Sequence, residues 1–486
     1  MKNCENHGAC CLSSLYAQDL RINQKTSQRK RCAIKAWTGW PLEVVGLAGM
    51  KLRPLYLFFV LGGLAGSHAL AASPEREKLF SIPTSQEMPF HVQVLSQSET
   101  EGVLLSEIFF DGAPLGGKPT RIYAWYARPK ADGKYPAVVQ LHGAALQTLS
   151  SAAAISYAKA GYVCLSIDWC GAAKSRPTPR KPPFSEFEAT SGLATAQDKK
   201  WHTEPVETNH IINGIRFVRR GFAYLRSLPE VDSTKLCISG MSAGAHLTLL
   251  VLGVEPEIRA AAVKYGSGYI RELNWGGYFG PVSLTPKEEY EPWLEVHDPK
   301  HGFKDIRSAT LVLSGTDDIF FWMPAVLATW RALPEPKRLW MRPNDNHEWV
   351  GNEEMPRRWF DYILKGAPAW PEIGSIQTAQ EANDLIATTT TSGSVAKVTF
   401  WYKVMPVGRF ITRRGDKGAP TGTWVSVEAA NGSNTWKATL PAIAPGDQMV
   451  IYANAEGEQG ITVSSDTLEI PVRPTWRSGP EPQIFR

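Results

Sequence analysis

Ser242 stands in Gly240-Met241-Ser242-Ala243-Gly244, between a β-type apolar run, Leu236 to Ser239, and a helical pattern. A serine hydroxyl attacks a carbonyl only when a neighbouring base takes its proton. The G-x-S-x-G spacing meets the geometric half of that need. It holds the serine in a strained strand-to-helix turn, and the flanking glycines let strand and helix pack closely. A plain tight turn is the other reading of these five residues; the strand-helix frame around them favours a nucleophile elbow.

The base should follow the last strand of such a fold, and after Asp318 the chain holds one histidine, His347, just past a strand-like run that ends at Met341. Most lone histidines are structural or exposed, but this position points to a general base. An imidazole base needs a carboxylate to orient it. The run Thr310 to Ser314 delivers Gly315-Thr316-Asp317-Asp318 at its carboxyl end, and Asp318 is the choice, with Asp317 the alternative as a solvated loop acid. Asp345 lies too near His347 in sequence to be the usual partner. Two backbone amides are placed to hold an oxyanion: Ala243, after the nucleophile, and Ala144, in the turn His142-Gly143-Ala144-Ala145 after the run Ala137 to Leu141. His142 reads as a loop-shaping residue. His297 and His301 flank Asp298, but Pro299 interrupts any helix between them and no H-E-x-x-H occurs, so they read as loop surface. No metal and no cofactor are expected.

These residues need a mostly parallel sheet to bring them together, and from Tyr135 short apolar runs alternate with helical patterns as βαβ units require. Strands are expected at Ala137–Leu141, Tyr162–Ile167, Leu236–Ser239, Arg259–Lys264, Thr310–Ser314 and Arg338–Met341. Helices are expected at Ser151–Ala160, Asn209–Ser227, Met241–Leu252 and Arg357–Leu364, with an antiparallel pair upstream at Gly102–Phe110 and Thr120–Arg128. Two long excursions, 174–208 and 268–305, read as lid-like insertions. The second is dense in aromatics; Trp275, Trp293 and Trp322 are candidate substrate-binding residues, with plain packing as the alternative. A catalytic unit over 72–371, a polar linker over 372–394, a small all-β sandwich-like domain over 395–473 and a tail over 474–486 complete the expected organisation.

The net charge of +5 is carried by the first 71 residues, so the remainder is close to neutral and nothing recommends nucleic acid as a partner. Met50-Lys51-Leu52-Arg53, an apolar run from Leu55 to Leu64, and Ala69-Leu70-Ala71 have the parts of a signal peptide over 50–71. The expectation is therefore a spurious or disordered leader over 1–49, export to the periplasm or cell exterior, and no membrane anchor after cleavage; a buried or spanning helix is the alternative. Cys164, Cys170 and Cys237 read as small core residues rather than a disulfide framework.

At LHGAA from Leu141, IDWCGAA from Ile167, GMSAG from Gly240, SGTDD from Ser314 and NHE from Asn346, the chain resembles the α/β-hydrolase superfamily. Within it the likeness is to the acetylxylan esterase and cephalosporin-C deacetylase type, with dienelactone hydrolases as a broader neighbourhood, over Gly102 to Leu364. The resemblance implies an α/β-hydrolase fold and a triad of Ser242, Asp318 and His347. It departs where that type has a tyrosine after the HG, an RGQ triplet and a glutamine after the nucleophile; here stand Ala144, Cys170-Gly171-Ala172 and Ala243. The NHE segment and trailing β-region also resemble exported hydrolases described as PhoPQ-activated proteins. The expected activity is hydrolysis of a small ester or acylated carbohydrate through an acyl-enzyme. A prolyl-oligopeptidase-like serine peptidase and a non-catalytic carbohydrate-binding protein are the alternatives.

Overall fold

The computed structural model describes residues 74–143, 149–171, 183–187, 209–270, 293–318, 320–347, 353–406, 422–457 and 460–471. The expected leader, signal segment and tail, Ala144, Trp275 and most of both excursions lie outside these residues. Among the described residues, no helix is long and apolar enough to cross a membrane.

Nine strands form one sheet in the order β1-β2-β3-β5-β4-β6-β7-β8-β9. β1 (Gln93–Thr100), β2 (Val103–Leu115) and β3 (Lys118–Pro129) are antiparallel, and β3 runs antiparallel to β5 (Val163–Ile167). From β5 onward every pairing is parallel: β4 (Tyr135–Leu141), β6 (Val231–Met241), β7 (Ile258–Lys264), β8 (Ala309–Gly315) and β9 (Lys337–Arg342). The β2–β3 turn falls on Gly116-Gly117, both at positive φ, as a tight hairpin demands. β4, β5 and β8 are almost wholly buried, which is why they read as continuous apolar runs rather than as alternation.

Helices cover the sheet: α1 (Pro74–Phe80), α2 (Ser151–Lys159), α3 (His210–Arg226), α4 (Ala243–Leu252), α5 (Met323–Ala332) and α6 (Glu354–Lys365). α3 starts under the side-chain cap of Asn209, and α6 stops at Gly366 in the left-handed conformation. All ten residues of α4 are buried, so the helix carries no polar stripe. The described end of the second excursion is not lid. A 3-10 helix, Pro299–Asp305, packs beneath α4, and His297 and Asp298, expected at the loop surface, are fully buried.

The segment 372–394, expected as a linker, instead forms strands: β10 (Glu372–Ile373), β11 (Gln377–Glu381) and β12 (Asp384–Ser392). Its threonines are β-branched and alternate inward along β12, where Thr389 and Thr391 are buried. β12 pairs with β16 (Thr435–Leu440), which pairs with β15 (Ala430–Gly432). A further sheet is built on β13 (Val395–Pro406) and β17 (Asp447–Gly457), with β14 (Val425–Glu428), β18 (Thr462–Ser464) and β19 (Leu468–Ile470) beside them.

β17 is buried on both faces. Met449, Ile451, Ala453 and Ala455 join the core that holds Phe400 and Trp436, while Val450 and Tyr452 pack with Met341 and Trp424. The sheet of β13 and β17 is thus a middle layer between β9 and the outer strands. Contacts with β9 are specific: the Met341 N–H donates to Ser464 Oγ at 2.8 Å, and Asn454 Nδ2 donates to the Met341 carbonyl at 3.3 Å. These bonds satisfy backbone groups on what would otherwise be an open sheet edge.

Candidate active site

Ser242, between β6 and α4, has φ 55 and ψ −121, a conformation that costs a side-chain-bearing residue free energy and persists only when its surroundings over-determine it. Those surroundings are close-packed backbone. A Cβ at Gly240 would overlap the Gly244 carbonyl, and one at Gly244 would overlap the His142 and Leu141 carbonyls. The Ser242 N–H donates to the Lys264 carbonyl at 2.8 Å, tying the turn to the neighbouring strand. The spacing of the glycines is therefore a packing requirement that leaves the hydroxyl at the carboxyl edge of the sheet.

His347 leaves β9 through a short loop and also has positive φ, at 39. Its Nε2 lies 2.9 Å from Ser242 Oγ, and its Nδ1 lies 2.9 Å from Asp318 Oδ2. Asp318 is fully buried, and its other oxygen accepts the backbone N–H groups of Phe320 and Phe321 at 2.8 and 3.0 Å. With Nδ1–H donated to the carboxylate, Nε2 is free to accept the serine proton. Phe320 and Tyr265 meet the imidazole edge to face, and Phe321 lies nearly parallel to it. The ring is therefore walled by aromatics on several sides, and the histidine side chain is only 14% exposed. The arrangement can deprotonate a hydroxyl and retain the proton on an imidazole that a buried carboxylate stabilises.

The two aspartates of the β8 loop part company. Asp318 faces His347, whereas Asp317, expected as a solvated acid, is 8% exposed and bonded to Lys403 Nζ at 3.2 Å. The sequence offers no local sign of this, because the lysine lies on β13 in the C-terminal sheets. Asp345 is bound by the Tyr265 hydroxyl and pairs with Arg342 at 3.2 Å, so it supports the loop beneath His347.

For an oxyanion, the Ala243 N–H is the first amide of α4, where no helical carbonyl can reach it and the helix dipole favours negative charge. Ala144 lies outside the described residues. The turn leading to it is braced from below: His142 is buried, stacks on Trp169, and has Nε2 3.5 Å from Asp168 Oδ1 and 3.9 Å from Cys170 Sγ. Among the described residues, His142, Asp168 and Cys170 are the trio close enough to share a metal ion. Asp168, however, already accepts the Ser185 and Gly171 N–H groups at 2.9 and 3.2 Å, which suits it to loop bracing. Cys164, Cys170 and Cys237 are buried, and among the described residues they form no disulfide.

The expected aromatic rim is corrected. Trp293 is 4% exposed and stacks on His297 with ring centroids 3.9 Å apart, and Trp322 is 3% exposed at the start of α5. Both are packing residues; density of tryptophan in sequence does not distinguish a lid surface from its interior. Sequence reasoning also missed the buried ion pair of Lys264 and Glu353 behind the elbow. Burial alone would raise the Glu353 carboxyl, but Lys264 and hydrogen bonds from Tyr157 and Ser239 outweigh it and hold it below the ordinary glutamate value.

Strand order, elbow and helix placement are those of an α/β-hydrolase. Residues 93–274 match the acetyl xylan esterase (AXE1) family. The resemblance drawn from the motifs therefore stands, and residues 236–409 in addition match the PhoPQ-activated pathogenicity-related protein family, across the junction of the large sheet with the C-terminal strands. The acetyl esterase Axe7A of Xylanibacter ruminicola is 24% identical over 252 residues, 48% of this chain and 53% of that protein. The chain thus spans about half the length of this curated relative. Among solved structures, an acetyl xylan esterase from a Paenibacillus species is similar at TM-score 0.46 and 20% identity, covering 60% of this chain and 92% of that one. Acetyl Xylan Esterase 1 from a Thermoanaerobacterium species is similar at TM-score 0.46 and 18% identity, with the same coverage.

Proposed function

We propose that this acetyl xylan esterase-like chain is an exported serine hydrolase that removes acetyl or similar small acyl groups from carbohydrate esters. The observation that carries the reading is the unbroken hydrogen-bonded line from Ser242 through His347 to Asp318. Ser242 Oγ attacks the acyl carbon as His347 Nε2 takes its proton, and Asp318 stabilises the imidazolium. The Ala243 N–H, with the Ala144 N–H expected from its place in the turn after β4, receives the tetrahedral oxyanion. Collapse expels the sugar alcohol, protonated by His347, and leaves Ser242 acylated. Water, deprotonated by the same imidazole, then releases the carboxylic acid and restores the hydroxyl.

The match of residues 93–274 to acetyl xylan esterases supports an acetylated carbohydrate as substrate. The Met50–Ala71 pattern supports export. Turnover of p-nitrophenyl acetate, longer acyl esters, acetylated xylan and a dipeptide anilide tests the assignment. Acetyl esters are expected to be preferred, with release of acetate from the polysaccharide. Preference for the anilide would replace the esterase reading with a peptidase one.

A further inference from the structure

The acid and base of the site hang on loops that the C-terminal sheets hold from outside. Lys403, on β13, is 1% exposed and reaches Asp317, the residue next to Asp318. Asn344, three residues before His347, has φ 56 and makes a reciprocal pair with Trp424: its Oδ1 accepts the Trp424 N–H at 2.8 Å, and its Nδ2 donates to the Trp424 carbonyl at 3.1 Å. The two loops are also joined to each other. The Asp317 N–H donates to the Asp345 carbonyl at 3.0 Å, and the Asn344 N–H donates to Thr316 Oγ1 at 2.8 Å.

We propose that Lys403 is a positioning residue for Asp318 and His347, holding their paired loops from the C-terminal sheets and setting the charge balance around the imidazole. The proposal rests on the reading of Ser242, His347 and Asp318 given above. Two consecutive carboxylates are buried here, and like charges so placed repel unless each is compensated. Asp318 has two amides and the imidazole; Asp317 has Lys403 and the Thr316 hydroxyl at 3.3 Å. Without the ammonium, Asp317 gains by turning toward water, and it would carry Asp318 and the bonded His347 loop with it. Among the described residues, the titratable and charged groups around His347 are Asp318 and Asp317 from the β8 loop, Tyr265 just after β7, Arg342 at the end of β9, Asp345 on its own loop, Ser242 from the elbow, and Lys403. With Lys403 present, the aspartates beside His347 and this lysine carry one net negative charge, which proton uptake by the imidazole neutralises. Without it they carry two, and the added negative charge favours the imidazolium over the neutral ring.

The test uses the full chain and p-nitrophenyl acetate, with kcat and KM measured across pH and thermal unfolding followed in parallel. Lys403→Met is expected to lower kcat about tenfold or more and to move the acidic limb of the pH–rate profile up by roughly half to one unit, the effect of one charge near a partly buried site. Asp317→Asn is expected to move that limb down, and the double variant to return it close to its starting place. Lys403→Arg, which keeps the charge, is expected to stay within about threefold of the parent in kcat. Should Lys403→Met not fold, the limb of Asp317→Asn lying below that of the double variant, which strands neither charge, supports the proposal. Limbs that coincide in all variants, or a loss that follows thermal stability alone and is not rescued by arginine, would overturn it. If Ser242→Ala or His347→Ala keeps full activity, the triad reading fails instead, and the two failures are distinct.

Discussion

Ser242 and His347 lie 2.9 Å apart, yet they are kept in place by different parts of the molecule. The serine is held locally, by a turn whose glycines admit only backbone contact and by the adjoining strand β7. The histidine and aspartate sit on loops held from the C-terminal part of the chain by Lys403 and Trp424, and β9 before His347 is held by Asn454 and Ser464, more than a hundred residues further on. The Ser242 turn is thus a property of the α/β-hydrolase core. The His347–Asp318 pair is a property of that core and the C-terminal sheets together.

The largest effects should come from the centre of that comparison. Ser242→Ala and His347→Ala are each expected to reduce kcat by about 10³-fold or more, with the fold intact by circular dichroism. Next come the glycines that place each half. Gly240→Ala on the elbow side and Gly315→Ala on the acid side both drive a methyl into a backbone carbonyl, of Gly244 and Asp345 respectively. Each is expected to cost roughly 3 kcal/mol by denaturant unfolding, and equal stability with the parent would show that the backbone yields. A smaller effect is expected for Asn344→Ala. It removes both bonds to Trp424 and places alanine at positive φ, at about 2 kcal/mol, while Asn344→Gly keeps the permissive backbone and should recover part of that loss.

The gentlest probe is pH, and it bears on the elbow side. His246 on α4 and His297 beside Trp293 are fully buried, and burial pushes them down to about 4 and about 3. Both stay neutral in the fold while the unfolded chain takes up protons below about 6.5. Stability should therefore be fully present above that pH and fall as the pH drops toward 4, by up to ~1.4 kcal/mol per pH unit for each histidine. His246→Gln should flatten the slope by one proton; an unchanged slope would show that another group is responsible. Glu353 acts lower on the scale, its contribution being lost as pH falls below the ordinary glutamate range.

The same division explains what could be read without coordinates. The parallel strands, α3 and the GMSAG elbow were legible because each is coded within a window of ten or so residues by apolar runs, helical spacing and paired glycines. His347 was legible through its position after the last strand. The distinction between Asp317 and Asp318 rested on loop position alone, since the lysine that claims Asp317 lies 86 residues away. Trp293 and Trp322 were misplaced because an aromatic side chain carries no mark of which surface will cover it. β1 escaped notice because it is exposed almost throughout and has no burial pattern to read. Threonine-rich β12 was taken for linker because its apolar residues are few and bunched at Leu385, Ile386 and Ala387.

The bonds from Ser464 and Asn454 to Met341 also bear on how the molecule comes into being. On the ribosome, the strand that leads into His347 emerges more than a hundred residues before the side chains that finish its outer border. The nucleophile's turn can be completed early in synthesis, whereas the base acquires its lasting frame only when the final strands have left the exit tunnel. A chain that ends before these strands, though it contains Ser242, Asp318 and His347, is therefore expected to lack the border that steadies β9.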